Sequence, residues 1–174
     1  MCVLYLDEIT GVQYKEIIKY LYKKCDVAVF CLPNYGTVFY TDSFETIYVD
    51  YERAKPLLDR ETEEFLKYKK TVTPLLKELQ ESIISVHTHF KYYNQGSNYE
   101  REIYELNFDE KTYEVLLRYD SFCNWRYPNA PEDWHFLSNG KLMLEIVSHE
   151  EEGYINSPDP SFIAFLESLG IELG

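Results

Sequence analysis

The chain has 174 residues, 45% hydrophobic and 27% charged, with a formal net charge of −13. That length buries a real core, and the chain reads as one domain over 1–174. The acid surplus argues against free nucleic acid as a partner, since phosphate contacts need clustered Lys and Arg. No apolar run approaches the ~20 residues of a membrane span, which argues against a membrane partner.

Taken in chain order, Cys2 to Leu6 reads as a short strand. Thr10-Gly11-Val12-Gln13 has the form of a capping box ahead of an amphipathic helix over about 11–24, with Tyr14, Ile17, Ile18 and Leu21 as its stripe. Val27 to Leu32 is a continuous apolar run, expected as a buried strand. Pro33 to Gly36 reads as a turn, Thr37 to Tyr40 as a strand, and Ile47 to Val49 as a further short one. Glu61 to Lys70 is helical in character. Thr73-Pro74 predicts a fresh helix start, Thr as cap and Pro at the first position, with Leu75, Leu76, Leu79 and Ile83 as its stripe. Two β-rich runs, 84–93 and 99–108, flank Asn94 to Asn98 and predict a hairpin. Asp109 is a candidate cap for a helix carrying Tyr113, Leu116 and Leu117. In the tail, Asp159 caps, Pro160 opens, Phe162, Phe165, Leu166 and Leu169 form the stripe, and Gly170 ends the helix.

Asn139-Gly140 between two apolar runs is the strongest hairpin signal in the chain, because a type I′ turn needs positive φ at both central residues. A regular register then places Ser138 opposite Lys141, Phe136 opposite Met143 and Trp134 opposite Glu145. It puts Trp134, Phe136, Met143 and Val147 on one face, and Leu137, Leu142, Leu144 and Ile146 on the other. Both faces are apolar, so the ribbon is expected to be covered twice, or covered once and partnered once. Ser148 to Gly153 reads as a solvated acidic exit. The fold class that follows is α+β: a largely antiparallel sheet built from hairpins (about 84–108 and 134–148), with amphipathic helices packed on it.

Charge and aromatics divide the chain unevenly. Residues 1–99 hold 14 acids and 12 bases, and residues 100–174 hold 16 acids and 5 bases, so the nets are −2 and −11. The acidic half also carries both tryptophans. Trp125, Tyr127, Glu132, Asp133, Trp134, His149 and Glu150 therefore form a candidate binding surface for a basic protein partner or for self-association, since aromatics anchor interfaces and charge steers encounter. His87 and His89, alternate residues on one strand face, are a candidate metal pair. Trp134 is a candidate wall of a small-molecule pocket beneath the hairpin.

No nucleophile elbow, P-loop or GxGxxG is present, so no cofactor is implied and an enzyme is not the favoured reading. Cys2, Cys25, Cys31 and Cys123 show neither CxxC nor zinc-ribbon spacing. They are expected as reduced, partly buried thiols in a cytoplasmic protein. In composition the chain is similar to small bacterial cytosolic proteins, some of which act as inhibitors of a protein partner; that likeness carries no residue over. The expected function is a non-enzymatic protein-interaction module. Metal binding or metal-assisted hydrolysis at His87 and His89 is the first alternative, and a small-molecule module the second.

Overall fold

A computed structural model describes residues 2–33, 66–87, 101–127, 129–155 and 159–174. Its seven strands are β1 (Cys2–Tyr5), β2 (Val27–Pro33), β3 (Ile83–His87), β4 (Arg101–Asn107), β5 (Glu132–Ser138), β6 (Lys141–Val147) and β7 (Glu152–Ile155). They form one antiparallel sheet in the order β1-β7-β6-β5-β2-β4-β3. The helices are α1 (Val12–Lys24), α2 (helical over residues 66–78), α3 (Glu110–Leu116) and α4 (Pro160–Ser168). The fold is α+β, and both expected hairpins are present as β3–β4 and β5–β6. The turn and strands read between 34 and 49, and the loop 94–98, lie outside the described residues. Among the described residues no helix is long and apolar enough to cross a membrane.

Local sequence explains most helix ends. Asp109 accepts the amide of Thr112 and Asp159 accepts that of Ser161, so each carboxylate satisfies an otherwise orphaned N–H. The expected capping box at Thr10 does not form. Thr10 is taken up by a β-bridge to Ser121, and Gly11, at φ +55°, turns the chain into α1 without a side-chain cap. The expected break at Thr73-Pro74 is also absent, because α2 runs through it. Thr71 and Thr73 hydroxyls donate back to the carbonyls of Lys67 and Lys69, while Tyr68, Val72 and Leu79 tie the helix to the core. Packing of this kind overrides the local proline penalty.

One face of the sheet carries the main core. Ala28, Phe30, Leu32, Leu106, Trp134, Phe136, Leu144, Ile146 and Ile155 pack there against Ile17, Ile18, Val115, Leu116, Phe162 and Leu166 of the helices. The opposite face holds a smaller buried cluster, Val29, Cys31, Ile103, Leu137 and Leu142. The β5–β6 ribbon is thus buried on both sides.

Its register departs from the regular one. Asn139 and Gly140 take φ of +50° and +72°, as a type I′ turn requires, and Ser138 faces Lys141. Leu137 then faces Leu142, but Phe136 faces Leu144. Met143 is an extra residue in β6, and beyond this bulge every side chain changes face. Leu144 and Ile146 join Trp134 and Phe136, and Glu145 faces His135 rather than Trp134.

Residues 148–151 form a turn exposed at His149, Glu150 and Glu151, as read, but Glu152 and Gly153 belong to β7. It pairs with both β6 and β1. A Cβ at Gly153 would come within 3.2–3.3 Å of Leu6, Ile146 and Leu4, so this close approach admits only glycine comfortably.

Candidate functional site

The candidate site lies on the sheet face opposite the four helices. Residues directly opposite in neighbouring strands point to the same side. The register therefore lays one row across six strands: Ser85, Glu105, Val29, His135, Glu145 and Tyr154. Glu152 follows Tyr154 at the alternate position. Cys31 and Glu132 form the next rung, and Asp133 sits beside them.

Asp133 is placed there by a second bulge. Between Cys31–Glu132 and Val29–His135, β2 supplies Phe30 while β5 supplies both Asp133 and Trp134. Trp134 takes the core side, 5.0 Å from the Phe30 ring. Asp133 is the extra residue, at φ +52° and only 3% exposed. One carboxylate oxygen accepts the Ser148 amide at 3.2 Å and lies 3.5 Å from His149 Nδ1. The other lies 3.8 Å from Cys31 Sγ. Its backbone carbonyl accepts a hydrogen bond from His135 Nδ1 at 2.9 Å, and a carbonyl can only accept, so that nitrogen carries a proton. Glu132 is fixed by the Tyr127 amide, 2.8 Å from Oε1.

The surrounding field is negative. Asp133, hydrogen-bonded to His149, raises that imidazole above its ordinary value; partial burial opposes this, and Glu132 and Glu150 reinforce it. Tyr154 donates its hydroxyl to Glu152. That bond, with burial and the nearby Glu150 and Glu145, pushes the phenol up to about 12. A raised value of this kind stabilises the fold below the free phenol's pKa and is lost as pH climbs through the folded one. Spectrophotometric titration is therefore expected to lose the late tyrosinate step of Tyr154 near 12 in Tyr154→Phe, while that of Tyr104, also raised to about 12, remains. In Glu152→Gln the Tyr154 step moves down toward the ordinary value; a step that stays in place would mean the glutamate does not hold the phenol.

The expected binding surface is only partly assembled. Tyr127 and Glu132 are half-buried, and His149 and Glu150 expose 44% and 54% of their side chains. Trp125 and Trp134 are fully buried and Asp133 nearly so, which corrects their placement on a surface. The indoles pack edge-to-face at 4.9 Å, and Trp134 also contacts Phe30 and Phe136. Burying such large apolar area outweighs any use of it at an exposed face. The same packing fills the space beside the Trp134 ring with Phe30, Trp125 and Phe136. Cavities of about 210 Å³ (lined by Val72, Leu75, Glu78, Arg118 and Tyr119, among others) and 180 Å³ (by Tyr5, Ile9, Gln13 and Ile171) lie away from Trp134.

His87 is exposed on β3, and His89 lies outside the described residues. The Ser85 hydroxyl donates to Glu105 at 2.7 Å, and His87 Nε2 lies 2.8 Å from the same hydroxyl. With the hydroxyl proton committed to Glu105, His87 donates to Ser85 and is not poised as its base. Burial pushes the Cys25 thiol up to about 12 and raises that of Cys123, so neither is an activated nucleophile.

No protein-family model, curated protein or solved structure matches this chain. The residues that sequence reading missed at this face are Cys31, Glu145, Glu152 and Tyr154. The alternation of Glu152 and Tyr154 was a usable strand signal, hidden by the run of three glutamates.

Proposed function

We propose that this protein is a non-enzymatic interaction module that receives a lysine- or arginine-rich segment of a protein partner. The recognising surface is the acidic part of β5–β7, with Glu132, Glu145, Glu150 and Glu152 supplying charge and Tyr154 supplying a half-buried aromatic edge. The observation that carries this reading is the shared negative field around Glu150, which acts on both His149 and Tyr154. Glutamates 132, 145 and 152 act on one or the other of the same two groups. Across residues 145–155 the only basic side chain is that of His149. A cationic partner would be drawn to such a field and held at short range by carboxylates. Self-association is disfavoured beside it, because two copies each carrying a net charge of −13 repel.

The test is binding of an arginine-rich peptide, followed by fluorescence anisotropy. Affinity is expected to fall steeply with added salt, since exposed charges are screened within about 10 Å at ~0.1 M. Combining Glu145→Gln, Glu150→Gln and Glu152→Gln is expected to weaken binding at least tenfold, or about 1.4 kcal/mol. Binding that ignores both salt and the three substitutions would contradict the proposal.

A further inference from the structure

We propose that Cys31, Glu132 and Asp133 form a binding site for a thiophilic divalent cation, with Zn²⁺ the best fit. The site shares Glu132 with the proposed peptide surface but does not rest on that reading. The sulfur of Cys31 and one carboxylate oxygen each from Glu132 and Asp133 lie within 4.8 Å of one another. In a tetrahedral zinc site, with bonds of roughly 2.3 Å to sulfur and roughly 2.0–2.2 Å to oxygen, donor atoms sit about 3.3–3.8 Å apart. Cys31 Sγ and Asp133 Oδ2 already stand at 3.8 Å. Closing the widest pair, up to 4.8 Å apart, to that spacing takes side-chain shifts of about 1 Å.

The backbone explains why these three meet. Cys31 and Glu132 are register partners on one face. In a regular strand Asp133 would point to the other face, into the aromatic core. The bulge that gives it φ +52° returns its carboxylate to the Cys31 side. Its far oxygen is oriented by the Ser148 amide and His149 Nδ1, the kind of outer support that ligating carboxylates receive. A separate observation points to a missing ligand sphere. Ser148 Oγ is fully buried and has no hydrogen-bond partner among the described residues, on the residue that holds Asp133. A metal-bound water in the fourth position would donate to this hydroxyl oxygen.

The donor set selects the ion. Mg²⁺ and Ca²⁺ prefer all-oxygen shells, whereas a thiolate beside carboxylates suits zinc. Binding deprotonates Cys31, so one proton leaves as the ion enters and the site charge goes from −2 to −1. His87 shares the cross-sheet row of Ile103 and Cys31 but lies two strands from Cys31. That is roughly 9–10 Å, beyond ligating reach.

The experiment is titration of the chelator-treated full chain with Co²⁺, and then competition with Zn²⁺, followed by absorbance. One equivalent of Co²⁺ is expected to produce a thiolate-to-cobalt charge-transfer band that Zn²⁺ abolishes. Cys31→Ser removes the band, Glu132→Gln weakens Zn²⁺ at least tenfold, and His149→Gln weakens it about ten- to a hundredfold through Asp133. Far-UV circular dichroism confirms that each variant is folded, and half-buried Glu132 provides a readout if Cys31→Ser is not. A wild-type chain without a cobalt band would overturn the proposal. So would a band that persists in Cys31→Ser, or Zn²⁺ affinity unchanged in Glu132→Gln.

Discussion

Trp125→Ala is expected to destabilise the protein by about 3–5 kcal/mol, the loss found when large buried aromatics are truncated. Trp125 is fully buried, 4.1 Å from the Tyr119 ring and 4.9 Å from that of Trp134. Its indole N–H also donates to Tyr14 Oη at 2.9 Å, and that hydroxyl donates to the Leu116 carbonyl at 2.8 Å. The chain of bonds ties the segment after α3 to α1 and α3 at once. Tyr14→Phe keeps the ring but strands the indole N–H, while the Leu116 carbonyl keeps the Tyr119 amide, for a loss of about 1–3 kcal/mol. Because the two residues share one bond, the double variant should lose less than the sum. Urea unfolding followed by circular dichroism measures all three. A loss under about 1 kcal/mol for Trp125→Ala would return the indole to the surface, where composition had placed it.

Leu144→Ala is expected to cost about 2–5 kcal/mol, and Met143→Ala less than half as much. Leu144 is fully buried in the main core, while Met143 is only half-buried, with its sulfur 3.7 Å from Cys25 Sγ. A β6 strand without its bulge would exchange their environments, placing Met143 beside Trp134. The comparison therefore reads the register directly. Equal losses, or a larger loss at Met143, would argue against the bulge.

These two residues also mark where the sequence stops being legible. Strong local signals carried through: Asn139-Gly140 gives the turn, Asp109 and Asp159 give caps, and apolar spacing gives α1 and α4. Each is decided within a few residues by backbone conformation or hydrogen bonding. The bulges at Met143 and Asp133 have no such signature. They arise because β2, β5 and β6 must satisfy each other's hydrogen bonds and still deliver Trp134, Phe136, Leu144 and Ile146 to one core. Tertiary packing decides that outcome. The same holds at Thr73-Pro74, where core contacts on both sides keep α2 continuous.

The site was legible in part for the same reason. Acid content located its charge, and Glu132, His149 and Glu150 remain on it. The tryptophans do not, because composition cannot separate an aromatic that anchors a core from one that anchors a partner. Cys31 is 102 residues from Asp133 in the chain, and only the β2–β5 pairing brings them together.

The central claim is that the acidic part of β5–β7 is a binding surface for cationic protein segments. Its most direct measurement is an amide chemical-shift map of the labelled protein titrated with an arginine-rich peptide. Shifts are expected to concentrate at Tyr127, at Glu132, and from Glu145 to Tyr154, fading as salt is added. Shifts centred instead on α1 or α4, or none at peptide concentrations that saturate the anisotropy signal, would contradict it.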